Sequence, residues 1–355
     1  MTDCFTLLRP LLHTLPPEAA HNLGLWALRH RLLTAISLPP MPSLQVNALG
    51  LQFSNPIGLA AGFDKNAVAV DALLGLGFGF VEAGTVTPKP QPGNPKPRIF
   101  RLPQDEAVIN RLGFNNDGLE SFVEHFARRN KAKGIAGANI GKNKDSADAN
   151  VDYVAGLQAV YPYADYITVN ISSPNTERLR DLQQRESLTS LLSALRDTRR
   201  ECAGKNGRNV PMLLKVAPDL DQKQMEDIAE AVMTYGIDGM IISNTTVTRP
   251  EQLQSRHRFE AGGLSGKPLF APSTERLRDF YTLTGGKVTL VGVGGVSSAA
   301  DAYAKIRAGA TLVQLYTALV YQGFSAVRRI QLGLAKLLEK DGFSSVRDAV
   351  GVDSV

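Results

Sequence analysis

Small polar side chains follow an apolar run in the stretch TVNISSPNT, which covers residues 168–176. Asn170, Ser173 and Asn175 come shortly after ADYI, a segment typical of a protein interior. Amide and hydroxyl groups offer donors as well as acceptors, so together they can bind the edge of a polar planar ring. Each of them taken alone is more typical of a turn or a loop. The chemistry therefore depends on which other groups the fold brings to the same place.

Eight short apolar runs alternate with longer amphipathic segments after residue 50. The runs are NPIGLAAGF, FGFVEAGTV, GIAGANIG, ADYITVNI, PMLLKVAP, GIDGMIISN, KVTLVGVGG and GATLVQLYT. Strands that are almost continuously apolar are typical of a parallel sheet buried on both faces. Segments such as GLESFVEHFARR and QMEDIAEAVMTYG between them have helical periodicity. Eight such units predict an α/β protein, a closed (β/α)8 TIM barrel rather than an open doubly wound sheet.

Polar residues stand at the carboxyl ends of these predicted strands, which meet at one mouth of a barrel. They are Lys65, Thr85, Asn139, Asn170, Asn175, Lys215, Ser243, Asn244, Thr245, Tyr316 and Thr317. The segment GVGG at residues 292–295, followed by LYT, fits the phosphate site that barrels build after the last two strands. Lys215 lies inside an apolar run, so burial of its charge requires an anionic partner or a lowered pKa.

Two connections are longer than those usual in barrels, residues 86–116 and residues 246–271, and we expect them to be functional. Within the first, the Pro-rich residues 88–97 are typical of a stiff surface loop, whereas NRLGFNN suits a binding segment. A third segment, residues 176–187, is rich in charged side chains. It is either a lid over the site or a plain connecting loop.

The composition excludes several classes of protein. The chain has 355 residues, of which 43% are hydrophobic and 21% charged, so it is neither disordered nor of low complexity. Cys4 and Cys202 have no C-x-x-C spacing and the five histidines form no H-E-x-x-H pair, so we predict a reducing compartment and no metal site. The net charge of +5 suits an anionic substrate, an anionic membrane surface or nucleic acid. No apolar run reaches the ~18 residues of a membrane-spanning helix.

Residues 1–40 precede the barrel and are predicted to form two short helices. The second has an apolar side made of Leu25, Leu28, Leu32, Leu33 and Ile36. Such a side ordinarily packs on the body of the protein, and contact with a membrane surface is the alternative. We predict an N-terminal helical extension over residues 1–40, a barrel over residues 41–340 and a tail over residues 341–355.

A series of short blocks resembles a known family over nearly the whole chain. The blocks are AAGFDKN, NRLGFNN, NIGKNK, NISSPNT, LLKVAPDL, ISNTT, GGLSGKPL, VGVGGV and LYTAL, in that order. They resemble the dihydroorotate dehydrogenase family, and specifically its class 2, quinone-dependent branch. Class 1 members carry a cysteine where Ser173 stands and lack the N-terminal helices. The resemblance implies an FMN-dependent oxidoreductase that converts (S)-dihydroorotate to orotate in pyrimidine biosynthesis and reduces a membrane quinone.

The same resemblance implies a role for individual residues. Ser173 would be the catalytic base, and Thr176 is our candidate for positioning a water that accepts its proton. FMN would be held by Ala61, Gly62, Lys65, Thr85, Asn139, Asn170, Lys215, Ser243, Gly266, Gly295, Tyr316 and Thr317. The substrate would be held by Lys65, Asn110, Arg111, Leu112, Gly113, Phe114, Asn115, Asn170, Asn175, Asn244 and Thr245. The candidate quinone contacts are His21, Arg101 and Tyr316.

The expected partners are dihydroorotate or orotate, a membrane quinone and a membrane surface, with no nucleic acid. We expect a peripheral location on the cytoplasmic side of the inner membrane. One alternative is an FMN barrel reductase of the tRNA dihydrouridine synthase type, which needs a cysteine near a strand end. Cys202 instead stands late in a predicted helix. A second alternative is a phosphate-binding barrel without redox chemistry, since a fold alone does not determine function.

Overall fold

The structure is a computed structural model that describes residues 4–33 and 39–354. Its strands are β1 (Val46–Ala48), β2 (Leu51–Phe53), β3 (Ile57–Leu59), β4 (Phe80–Val86), β5 (Ile99–Leu102), β6 (Ala107–Asn110), β7 (Ile135–Ile140), β8 (Tyr166–Asn170), β9 (Met212–Val216), β10 (Gly239–Ile242), β11 (Gly263–Gly266), β12 (Thr289–Val293) and β13 (Leu312–Leu315). Its helices are α1 (Cys4–Thr14), α2 (Pro17–Arg29), α3 (Val70–Gly75), α4 (Gly118–Ala127), α5 (Ala149–Val160), α6 (Arg185–Asn206), α7 (Gln222–Thr234), α8 (Phe270–Leu283), α9 (Ala299–Arg307), α10 (Ala318–Gln322) and α11 (Ser325–Lys340).

Eight of these strands close into a barrel in the order β3, β4, β7, β8, β9, β10, β12 and β13. All neighbours are parallel, and β13 closes the ring by pairing with β3, where Val313 lies opposite Ile57. Each barrel strand lies within one of the eight apolar runs of the sequence. The prediction of a (β/α)8 barrel is confirmed.

Helices cover the outside of the barrel because each presents one apolar face. In α6, Leu188, Leu191, Leu192 and Leu195 follow helical spacing and are fully buried. Gly236 follows α7 and Gly309 follows α9, both with positive φ angles of 66° and 111°. This backbone conformation favours glycine, as expected at the end of a helix.

The hairpin of β1 and β2 closes the amino-terminal end of the barrel. Phe53 is fully buried there, and its ring meets the ring of Phe80 edge to face with 5.3 Å between centroids. Burying a side chain of this size contributes about 1.5–3 kcal/mol. The bottom of the barrel is thus sealed, which leaves the carboxyl ends of the strands for a site.

A three-stranded antiparallel sheet of β5, β6 and β11 lies over the mouth of the barrel. Its strands come from the two long connections, residues 86–116 and 246–271. It has a small core of its own, made of Phe100, Leu102, Ala107, Ile109, Leu253 and Leu264. The sequence did not predict these strands, because each has only four residues and β11 pairs with a segment more than 150 residues away. We call this sheet the roof.

The N-terminal helices α1 and α2 attach beside the roof. Proline occupies the first position of α2, and Glu18 in its first turn forms an ion pair of 2.6 Å with Arg98. Large apolar side chains on the outer side are exposed, among them Leu7, Leu11 and Trp26 with exposed fractions of 70%, 66% and 52%. Ile36 of the predicted apolar side lies outside the described residues. Within the described ranges, no helix combines the length and hydropathy needed to cross a bilayer.

Candidate active site

One large cavity of about 650 Å³ opens at the carboxyl ends of the barrel strands, under the roof and beside α1 and α2. The predicted base, Ser173, lines it. So do all the predicted cofactor residues except Asn139, and all the predicted substrate residues except Arg111 and Asn115. The cavity also reaches the three candidate quinone contacts, His21, Arg101 and Tyr316. The fold therefore brings together groups that are more than 250 positions apart in the chain.

Three predicted residues lie outside the cavity lining. Arg111 forms an ion pair of 2.8 Å with Glu260, and its guanidinium lies 4.6 Å from the centroid of the Phe100 ring. These contacts direct it along the roof. Asn115 has a buried Oδ1 that finds no hydrogen-bond partner among the described residues. Asn139 lies below the cavity, fully buried in the barrel.

The amides at the strand ends form one hydrogen-bonded series. Thr85 Oγ1 donates to Asn139 Oδ1 at 2.6 Å, and Asn170 Nδ2 donates to Thr85 Oγ1 at 2.9 Å. Asn244 Nδ2 donates to Asn170 Oδ1 at 3.3 Å and to Ser172 Oγ at 3.0 Å. Because the parallel strands end at the same level, these short side chains can reach one another. The series connects predicted cofactor residues with a predicted substrate residue.

Ser173 is 6% exposed, and its Oγ accepts a hydrogen bond of 3.3 Å from the backbone N–H of Asn175. The following turn is held by Asn110, whose Oδ1 accepts from Asn175 Nδ2 at 3.2 Å, and by Asn94, whose Nδ2 donates to the Asn175 carbonyl at 3.1 Å. Among the described residues, no His, Asp or Glu side chain bonds to the Ser173 hydroxyl. Nearby, Thr176 Oγ1 is buried and has no hydrogen-bond partner within the same residues.

Two lysines bring positive charge to the cavity. Burial, together with repulsion by Arg98, lowers the pKa of Lys65 to about 8, although Glu18 and Asp64 oppose the shift. Burial also lowers the pKa of Lys215, and the attraction of Glu82 partly offsets this effect. Within the described part of the chain, neither ammonium group has a hydrogen bond or an ion pair. Both are therefore available to an anionic ligand.

The backbone of the loop after β12 has a conformation suited to binding an anion. Gly294 and Gly295 have φ angles of 106° and 73°. A Cβ atom on Gly295 would lie 2.5 Å from the Cβ of Phe270, so the loop packs closely on the start of α8. The Gly295 N–H donates to no group among the described residues. Thr317, which lines the same cavity, donates from Oγ1 to Ser265 Oγ at 2.9 Å.

An apolar arm of the cavity runs between α1, α2 and the barrel mouth. Phe5, Leu8, Leu12 and Leu23 contribute to its lining. The His21 ring meets the Phe63 ring edge to face at 5.0 Å, and burial lowers the pKa of His21 to about 4, so the ring is neutral at pH 7. In turn, Phe63 meets Tyr316 at 5.6 Å. Arg101 is fixed by the carbonyls of His13 and Leu15 at 3.0 and 3.1 Å.

Sequence reasoning missed two residues that organise the site. Arg180 donates to the carbonyls of Ser172 and Thr245 at 3.1 and 2.9 Å and pairs with Asp219 at 2.8 Å. It comes from the segment of residues 176–187, where several arginines look alike in sequence. Glu82 is buried below the cavity and binds Asn139. The sequence could have identified Glu82, because it is the one acidic residue in the apolar run FGFVEAGTV.

The closed barrel and the polar cavity at its strand ends define a (β/α)8-barrel enzyme. Comparison with known proteins gives the family. The chain belongs to the dihydroorotate dehydrogenase family, whose sequence profile, described as "Dihydroorotate dehydrogenase", matches residues 43–338. The predictions of this family and of an oxidoreductase are confirmed.

Relatives match along the full length of the chain. The chain is 54% identical over 353 residues to a protein of Azorhizobium caulinodans named dihydroorotate dehydrogenase (quinone), with 99% of both chains covered. A protein of Parvibaculum lavamentivorans with the same name is 54% identical over 351 residues, again with 99% of both chains covered. Among solved structures, DHODH from Eimeria tenella in complex with ferulenol is 42% identical, with a TM-score of 0.91 and 95% of both chains covered.

Proposed function

We propose that the chain is an FMN-dependent dehydrogenase that oxidises (S)-dihydroorotate to orotate and passes the electrons to a membrane quinone in de novo pyrimidine biosynthesis. One observation carries the proposal. A single cavity of about 650 Å³ joins Lys65, Lys215, the strand-end amides and Ser173 to the apolar arm beneath α1 and α2. Two ligands of different polarity would thus share one site. The named relatives, described as quinone-type dihydroorotate dehydrogenases, support this assignment.

The residues present fit FMN. The backbone N–H of Gly295, which has no partner among the described residues, suits its phosphate, because backbone N–H groups bind phosphate oxygens well. Lys215 is buried without a partner among the described residues and suits a ring edge that becomes negative on reduction. When bound, the flavin supplies the redox chemistry of the reaction. The proposed FMN residues are Ala61, Gly62, Lys65, Thr85, Asn139, Asn170, Lys215, Ser243, Gly266, Gly295, Tyr316 and Thr317.

The other polar groups suit a small anionic pyrimidine. Lys65 offers a positive charge for the carboxylate of dihydroorotate. Thr245 lines the cavity, and its buried Oγ1 has no hydrogen-bond partner in the described part of the chain, which a ligand would supply. The proposed substrate residues are Lys65, Asn110, Arg111, Leu112, Gly113, Phe114, Asn115, Asn170, Asn175, Asn244 and Thr245. Arg111 would act through the roof, since Glu260 already holds it.

Ser173 would act as the base that takes the proton from C5 of dihydroorotate as the hydride leaves C6. A serine hydroxyl is a weak base, so its own proton must pass to another group during the step. Since no acidic or imidazole side chain bonds to it in the described residues, we propose a water as the acceptor. Thr176, whose hydroxyl is buried and has no partner in that part of the chain, would hold this water.

The quinone would enter through the apolar arm and contact His21, Arg101 and Tyr316. The exposed leucines of α1 and Trp26 of α2 would rest on the membrane surface, which makes the protein peripheral on the cytoplasmic side of the inner membrane. Under this proposal residues 1–40 serve the quinone, residues 41–340 form the catalytic barrel and residues 341–355 are a tail. No observation favours nucleic acid as a partner.

Turnover with a short-chain quinone tests the proposal. The purified protein should produce orotate from dihydroorotate, and deletion of residues 1–40 should reduce quinone turnover at least tenfold. Reduction of the bound flavin by dihydroorotate should persist in the same variant. Equal loss of both half-reactions would limit the helices to a structural role, and a full-length protein without orotate formation would contradict the proposed function.

A further inference from the structure

Glu82 is a fully buried carboxylate inside the barrel, below the cavity. Its Oε1 accepts from Asn139 Nδ2 at 2.7 Å. Its Oε2 accepts from Gln314 Nε2 at 2.9 Å and from the hydroxyls of Tyr166 and Thr168 at 3.1 Å each. Four donors from three neighbouring strands offset the large cost of burying a carboxylate. An ionised carboxylate is an acceptor only, so every neighbour must turn a donor toward it.

This requirement decides the orientation of the residue above. An asparagine amide has two orientations of nearly equal shape, and only its partners choose between them. Because Glu82 demands the NH2 group of Asn139, the Asn139 oxygen must point the other way. There it accepts from Thr85 Oγ1 at 2.6 Å. The hydroxyl proton of Thr85 is then used, which leaves its oxygen to accept from Asn170 Nδ2 at 2.9 Å.

The same order continues to the predicted substrate residues. With its NH2 group engaged by Thr85, Asn170 presents its oxygen to Ser172 Oγ at 3.0 Å and to Asn244 Nδ2 at 3.3 Å. The oxygen of Asn244 consequently faces the backbone N–H of Thr245, at 2.7 Å. Each residue in the series thus fixes the orientation of the next one. The origin of this order is the carboxylate.

We propose that Glu82 is a positioning residue that fixes the donor and acceptor orientation of Asn139, Thr85, Asn170 and Asn244 at the cavity. The inference rests on the proposed function, since it assigns these groups to planar rings whose edges carry fixed donors and acceptors. A reversed amide would place a donor opposite a donor, or an acceptor opposite an acceptor, at the edge of the ring. Both groups would then be desolvated without a hydrogen bond. Glu82 itself does not line the cavity.

Three variants separate orientation from charge and from general stability. Glu82→Met removes the acceptor. Glu82→Gln removes the charge but keeps a carbonyl oxygen for Asn139. Its NH2 group can face Tyr166, Thr168 and Gln314, because the two hydroxyls rotate to accept and the Gln314 amide can turn its oxygen toward it. Thr168→Val is the matched control, since it removes one donor to the same carboxylate without interrupting the series.

The measurements are made on the purified holoenzymes. Release of FMN on dilution is followed by its fluorescence, orotate affinity by the absorbance change of the bound flavin, and folding by thermal unfolding. For Glu82→Met we expect FMN and orotate affinities to fall about tenfold or more, the effect of a misdirected buried polar group. For Glu82→Gln and Thr168→Val we expect changes of less than about threefold.

Two results would overturn the inference. One is a folded Glu82→Met protein with both affinities as in the wild type. The other is a Glu82→Gln protein whose FMN and orotate affinities fall as far as those of Glu82→Met. That result would show that the charge of Glu82 matters rather than the orientation it imposes. If Glu82→Met does not fold, the same affinities are measured for Glu82→Asp, because its shorter carboxylate cannot reach Asn139 and the other donors together. Unchanged affinities in that variant would contradict the inference. Failure of the proposed function is recognised separately, as a wild-type protein that binds neither FMN nor orotate, and the inference would fall with it.

Discussion

At the scale of single residues, the site relies on groups whose ordinary chemistry is weak. Ser173 has a hydroxyl that accepts from the Asn175 N–H and, within the described residues, has no basic partner. Lys65 is a cation whose pKa burial lowers to about 8. Their reactivity must come from placement in a cavity that restricts water, where positioned groups act more strongly than in solution.

Replacing Ser173 tests its role as the base. Ser173→Ala should retain FMN but lose turnover by roughly 100-fold or more, the usual contribution of a general base. Stopped-flow reduction of the flavin by dihydroorotate measures this step directly. Ser173→Cys is the matched control, because a thiol can still accept and release a proton, and its activity should rise with pH as the thiolate forms. Normal reduction in the alanine variant would remove Ser173 from the mechanism.

Lys65 predicts a pH dependence of orotate binding. The anionic ligand requires the protonated ammonium, whose pKa in the ligand-free chain is about 8. A bound anion can only raise this pKa, so affinity should be constant at lower pH. It should then weaken by up to about tenfold per pH unit above about pH 8, where Lys65 loses its proton before the anion binds, because one proton is linked to binding.

Titration of orotate against the flavin absorbance from pH 6 to 9.5 measures this dependence. The Lys65→Arg variant should lose the pH dependence, because a guanidinium stays protonated throughout the range. A flat profile in the wild type would show that Lys65 does not bind the anion.

At the scale of elements, an ion pair between Glu18 and Arg98 attaches helix α2 to the segment that leads into β5. Arg98 is almost fully buried, bonds to Glu18 of α2 through two nitrogens at 2.6 and 3.2 Å, and also donates to the carbonyls of Pro92 and Asn94. Asn94 in turn binds the Asn175 carbonyl beside the predicted base. The position of α2 and the loop beyond β8 are therefore physically connected.

Breaking this ion pair should affect the quinone more than the pyrimidine. Glu18→Gln leaves the Arg98 charge without its counter-charge, so α2 should loosen and the KM for a short-chain quinone should rise at least about threefold. Flavin reduction by dihydroorotate should change less. Glu124→Gln is the control, since Glu124 forms an exposed ion pair with Arg128 on α4 and such pairs contribute little. Equal quinone KM values in the two variants would show that the position of α2 does not depend on the ion pair between Glu18 and Arg98.

At the scale of the whole molecule, the sequence was informative where a pattern repeats. Eight apolar runs of similar length predicted the barrel, and the polar groups after them predicted which residues line the cavity, because parallel strands end at one face. The roof could not be predicted in this way. Its strands have only four residues each, and β6 pairs with β11, a segment more than 150 residues away. Arg180 depends on contacts that no local pattern contains, whereas Glu82 is recognisable in the sequence as a lone acid in an apolar run.

The central claim is that this cavity holds a flavin that dihydroorotate reduces. The most direct measurement is the visible spectrum of the purified protein under anaerobic conditions, before and after dihydroorotate is added. We expect an oxidised flavin band that disappears with dihydroorotate and returns on addition of a quinone. A flavin band that dihydroorotate leaves unchanged, or a protein without flavin absorbance that takes up no FMN, would contradict it.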